Sequence, residues 1–111
     1  MPAIATRKLN VKEQDRDIEV EIRLFEPQPE NDAWACRYEI DWPSGLKSGN
    51  AMGVDAIQAM LLALQKIGII LYTSDYHRNA QLTWPSAAGG GYGFPVPSNV
   101  RDLLTGEDVN I

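Results

Sequence analysis

An α+β fold is predicted: a four-stranded antiparallel β-meander with one long α-helix packed on one face, plus an irregular C-terminal segment. Three observations predict it. Residues 18–25 and 34–42 alternate apolar and polar side chains with the period of two that a half-buried strand requires. Short polar or proline-rich stretches separate successive strand-like runs, which favours pairing between neighbours in sequence. A single stretch, Val54 to Ile67, repeats apolar residues at helical spacing.

The first strand, residues 4–11, mixes Ile4, Leu9 and Val11 with Thr6, Arg7 and Lys8, an imperfect alternation that suits an edge. Lys12 to Asp17 is polar and reads as a turn. In the second strand, residues 18–26, Ile18, Val20, Ile22 and Leu24 oppose Glu19, Glu21 and Arg23. Pro27 and Pro29 cannot donate ladder hydrogen bonds, so that strand is expected to end in a hairpin loop. The third strand, residues 34–42, sets Trp34, Cys36, Tyr38, Ile40 and Trp42 on one face against Ala35, Arg37, Glu39 and Asp41 on the other. Pro43-Ser44-Gly45 supplies the next turn, and residues 46–52 form a weaker fourth strand interrupted by Gly49.

The helix is predicted over residues 54–73. Val54, Ile57, Leu61, Leu64, Gly68 and Leu71 fall on one stripe, and Ala56, Met60, Ala63 and Ile67 on an adjoining one. Asp55 either lies in the first turn, where its charge suits the helix dipole, or opens a capping box with Gln58. Gly68 offers a stop that would leave Ile69 to Tyr72 as a strand, whereas Leu71 continues the apolar stripe and favours an unbroken helix. Beyond it, Gln81 to Trp84 is at most a short strand, residues 85–97 form a glycine- and proline-rich loop, and Ser98 caps a short helix over residues 99–104.

A chain of 111 residues fits one domain, residues 1–111, with one core. The net charge is −5, and the ten basic residues are scattered, so a nucleic-acid partner is disfavoured. Cys36 has no cysteine to pair with. Neither a leader nor a membrane-length apolar run is visible, so no membrane role is expected and the cytoplasm is the default compartment.

Four strands make a sheet roughly 15 to 20 Å across, wider than one helix of about 10 to 12 Å. Either the segment containing Trp84, Tyr92, Phe94, Pro95 and Val96 or a second copy of the chain must cover the remainder. Leu62 and Ile69 share a helix face with Gln58 and Gln65, and a homodimer would hide them, which makes them the candidate interface.

Chemistry-bearing motifs are sparse. His77 stands beside Asp75 and Tyr76 with no nucleophile at recognisable spacing and reads as an exposed helix-end residue. Cys36 is in phase with Trp34 and Ile40 and reads as a small core residue. Gly89-Gly90-Gly91-Tyr92-Gly93 lacks the Lys-Ser or Lys-Thr of a phosphate loop. Glu13, Asp15 and Asp17 lack the glycine and distal glutamate of a calcium loop. No catalytic residue, metal ligand or cofactor site is therefore assigned. The candidate ligand pocket comprises Trp42, His77, Trp84 and Tyr92, gathered between a sheet edge and the C-terminal loop.

The meander leading into Gly53-Val54-Asp55-Ala56-Ile57-Gln58-Ala59, with Ile67-Gly68 and Leu71-Tyr72 beyond, resembles a family of small bacterial proteins of unknown function. That resemblance implies a bacterial source and no assigned activity. Size, acidity and the missing catalytic constellation favour a non-enzymatic protein-interaction module, immunity-like or chaperone-like, with a protein partner or a second copy. The alternative is a small-molecule binder or enzyme using the aromatic pocket.

Overall fold

The computed structural model describes residues 2–86 and 88–110; Met1, Ile111 and Ala87, the last within the loop predicted for residues 85–97, lie outside the described residues. Among the described residues, six strands form one antiparallel sheet: β1 (Ala3–Glu13), β2 (Arg16–Phe25), β3 (Gln28–Glu30), β4 (Ala33–Trp42), β5 (Gly45–Gly53) and β6 (Leu82–Thr83). The meander β1–β2–β4–β5 is the one the sequence predicts, but the count of four strands is too low. β2 stops at Phe25 before Pro27, and the chain resumes pairing as β3 on the same side of β4, opposite β5. Pro29 is tolerated because β3 has no second strand neighbour among the described residues. β6 adds Leu82 and Thr83 to the outer side of β1.

The hairpins turn on two residues each. Gln14 and Asp15 join β1 to β2 with φ of 50° and 65°, and Asn31 and Asp32 join β3 to β4 with φ of 51° and 62°. Paired left-handed residues give the twist that a two-residue hairpin needs, and Asn and Asp tolerate that region better than most side chains. Gly49 does not interrupt β5, which pairs with β4 along nine residues. It lies opposite Tyr38, and a Cβ on Gly49 would stand 2.5 Å from the Tyr38 hydroxyl, so the ring occupies the space a side chain would fill.

The helix α1 (Ala56–Tyr72) runs unbroken through Gly68. Asp55 is its N-cap and accepts a hydrogen bond from the Gln58 amide at 2.8 Å, while Gln58 Oε1 accepts from the Val54 amide at 2.7 Å. This is the capping-box alternative, displaced by one residue on the return bond. A single turn, α2 (Asp75–Arg78), comes next, and 3₁₀ turns occupy Ser98–Leu103 and Gly106–Asn110.

The helix presents a different face to the sheet from the one its largest residues mark. Ala59, Ala63, Ile67 and Leu71 are fully buried, whereas Val54, Ile57 and Leu61, placed in the core stripe by periodicity, are 80%, 78% and 48% exposed. The reason is the bulk of the opposing strand: β4 supplies Tyr38 and Ile40 to the core and Trp34 beside it, so the helix packs its small residues there. At the helix start the approach is closest, since a Cβ on Gly53 would lie 2.4 Å from the Ala59 nitrogen.

The helix lies over β4 and β5. Residues 92–96 form a strap over the β1–β2 side, with Tyr92, Phe94 and Val96 almost wholly buried in the same core as Leu9, Val11, Val20 and Ile22. The C-terminal segment thus supplies cover that the helix cannot. Gly68 is where strap and helix meet: a Cβ there would fall 2.0 Å from the Pro95 carbonyl oxygen.

Candidate functional site

The strap is held at its start by two charged side chains. Arg7 sits on the core face of β1, in phase with Leu9 and Val11, and its Nη1 donates to the carbonyls of Tyr92 at 3.2 Å and Gly93 at 3.0 Å. Its guanidinium lies 4.1 Å from the Trp84 ring centroid and 4.9 Å from that of Phe94. Burial pulls the Arg7 pKa below its usual value, and the field of Asp108 partly restores it. Asp108 itself is 1% exposed and accepts from the Tyr92 amide at 2.8 Å, the Gly93 amide at 2.6 Å and the Tyr72 hydroxyl at 2.5 Å. The buried carboxylate therefore ties the chain's last 3₁₀ turn to both strap and helix. Gly91 leaves room for it, because a Cβ there would stand 2.6 Å from Asp108 Oδ1.

Of the four residues in the candidate ligand pocket, two are brought together. His77 Nδ1 is 2.6 Å from the Tyr92 hydroxyl, and both rings pack on Tyr72 with centroids 5.0 Å away. Burial pushes the Tyr92 hydroxyl up to about 12, with Tyr72 and Asp108 adding to the effect. That hydroxyl stays protonated near neutrality; it is hydrogen-bonded with Nδ1 and also lies 3.5 Å from the Leu82 carbonyl oxygen, an acceptor for its single proton. Burial lowers the His77 pKa, so the exposed helix-end position expected for it is replaced by a half-buried one under the strap. Trp42 stacks instead on Tyr76 at 4.9 Å, and Trp84 lies against Arg7. Cys36 is fully buried, its thiol pushed up by burial and directed at the Phe25 carbonyl at 3.4 Å.

A different concavity opens where helix, strap and sheet converge. Its volume is about 180 Å³. Ile22 and Leu24 make its floor, Leu64 and Ile67 its helix wall, Gly93 to Pro95 its strap wall, and the exposed Ala5 and Thr6 its lip, with Arg7 beside them. None of Trp42, His77, Trp84 or Tyr92 lines it. Sequence reading missed it because Arg7 reads there as an edge-strand charge; its place in phase with Leu9 and Val11 is the signal that could have marked it.

The concavity continues into an exposed ridge. Ile57, Leu61, Leu64 and Gly68 succeed one another at spacings of four, three and four along one helix face, with Val54 just before the helix in the same phase. At Gly68 the strap covers this face; at Val54, Ile57 and Leu61 nothing among the described residues covers it. Leu62 and Ile69, the candidate interface, are half-buried and border a groove with Met52, Lys66 and Pro97. On the opposite face of the sheet, Arg23 bridges Glu21 at 2.8 Å and Glu39 at 2.9 Å, and Arg37 lies 3.7 Å from Glu30.

Among the described residues no cluster of three His, Cys, Asp or Glu side chains is placed to hold a metal, and no helix is long and apolar enough to cross a membrane. No curated protein and no solved structure matches the chain. Residues 5–96, which take in the sheet, the helix and the strap but not Asp108, match the model of a family described as Domain of unknown function (DUF6968), and the chain belongs to that family.

Proposed function

We propose that the protein is a non-enzymatic interaction module whose partner, a protein or a second copy of the chain, docks on the open apolar face of α1. One observation carries this reading: Val54, Ile57 and Leu61 are 80%, 78% and 48% exposed on a face that the chain's own strap covers at Gly68, about two turns beyond Leu61. Burying a Val, Ile or Leu side chain is worth about 1.5–3 kcal/mol, so a ridge of such residues supplies a driving force for docking. An immunity-like or chaperone-like role would use such a surface.

The test is a photo-crosslinking residue at position 57, with position 47 on β5 as the comparison, read alongside light scattering of the wild-type protein and of an Ile57→Asp, Leu61→Asp variant. The expected result is a crosslinked species specific to position 57, either a dimer or a complex with one protein, which the double variant loses. Equal crosslinking at both positions, or an association that the double variant retains, counts against the proposal.

A further inference from the structure

The geometry points to the concavity between β1, α1 and the strap as a binding site for a small apolar monocarboxylate, its carboxylate on Arg7 and its hydrocarbon body between Leu64, Ile67 and Phe94. The site goes beyond the interaction reading and stands whether or not a partner docks on α1.

Volume sets the size of the ligand. A cavity of roughly 150 Å³ accepts a benzene ring, and this one measures about 180 Å³, enough for a hydrocarbon body of around six carbons. The lining sets its character: Ile22, Leu24, Leu64, Ile67 and Phe94 are all apolar, and Ala5 and Thr6 at the lip are exposed, so a ligand has a way in. Arg7 sets its charge. The Nη1 group is committed to the Tyr92 and Gly93 carbonyls, while Nε and Nη2 have no hydrogen-bond partner among the described residues. No carboxylate among the described residues forms an ion pair with it. Asp108, the acidic group on the far side of the strap, is occupied by the Tyr72 hydroxyl and two backbone amides.

A guanidinium with two parallel donors uncommitted is matched in geometry to a carboxylate, which it binds bidentately. Stacking on Trp84 and bonding to two strap carbonyls fix the plane of the Arg7 group before a ligand arrives, which reduces the ordering cost of binding. A phosphate monoester would carry a second charge into the apolar opening with no second cation to meet it, so the monocarboxylate is the better fit.

The experiment titrates the full chain with hexanoate and, separately, with 1-hexanol, following the Gly93 amide and the Arg7 Nε–H by heteronuclear NMR. Saturable shifts at both groups are expected with hexanoate, with an affinity roughly tenfold or more above that of 1-hexanol, because only the acid meets the guanidinium. Ala5→Leu, which narrows the opening without touching the bonds of Arg7, is expected to weaken both probes, and Arg7→Met to erase the difference between them. Should Arg7→Met fail to fold, the acid-to-alcohol comparison on the wild-type protein decides alone. Equal affinities, shifts confined to residues away from Gly93 and Arg7, or no saturation by about 10 mM hexanoate overturn the proposal.

Discussion

Asp108 accepts three hydrogen bonds in a site 1% exposed, and together they join the C-terminal turn to the strap and the helix. Bonds to a charged acceptor are worth about 1.5–3 kcal/mol each at most, and they do not add fully. Asp108→Asn keeps the shape but replaces one acceptor oxygen by a donor that faces amides and a hydroxyl. A loss of about 2–3 kcal/mol is expected, read as a lower urea midpoint with unchanged slope. His77 gives a pH signature. Its pKa is lowered from 6.5 in the folded protein, so the unfolded chain takes up a proton first as pH falls. Its contribution is complete above 6.5 and is lost as pH drops below that value toward the folded pKa. A His77→Gln variant removes this component: the stability difference between wild type and variant should be flat above 6.5 and move in the variant's favour below it, in urea unfolding measured at a series of pH values.

Gly68 shows how one position can serve two elements. In an isolated helix, Ala in place of Gly gains about 1 kcal/mol. Here the added methyl would meet the Pro95 backbone carbonyl oxygen at 2.0 Å, and the strap must lift. Overpacking of this kind costs about 1–3 kcal/mol, so Gly68→Ala is expected to destabilise the protein, with a matching chemical-shift change at Pro95 and Val96. A gain in stability would show that the strap is not held against α1. The helix start behaves differently, since Asp55 and Gln58 close the first turn with their own side chains, the second of the two readings the sequence offered for Asp55. Which helix face is buried was less readable. Two adjoining stripes were visible, and the larger side chains gave no guide because the sheet beneath α1 is already filled by Tyr38 and Ile40, with Trp34 alongside.

Across the molecule, helix and strap divide one sheet between them, α1 over β4 and β5 and the strap over β1 and β2. Neither layer extends over Val54 and Ile57, and the result is an apolar ridge on the outside of a protein with a net charge of −5. Because these side chains make little contact with the core, the Ile57→Asp, Leu61→Asp variant is expected to unfold within about 0.5 kcal/mol of wild type per exposed site. Denaturation of the isolated proteins measures it. A large destabilisation would mean that the ridge is part of the core and not a surface for a partner.

Local pattern was enough to establish the meander, the position of the helix and the glycine- and proline-rich character of the segment after it, and it offered the capping box as one of two readings of Asp55. Each rests on neighbours in the chain: the alternation in residues 18–25 and 34–42, the pair Asp55 and Gln58, and the run around Gly89 to Pro97. Folding in three dimensions was needed to establish that β2 resumes as β3 beyond Pro27, that Tyr92, Phe94 and Val96 close the sheet, and that Ala59 and Ala63 face inward while Ile57 faces out. The same holds for Arg7 and Asp108, about a hundred residues apart in the chain, which grip the same stretch of strap. The physical reason is common to these cases. Periodicity records that a residue belongs to a face, but which face is covered depends on the volume already occupied by chain that lies far away in sequence.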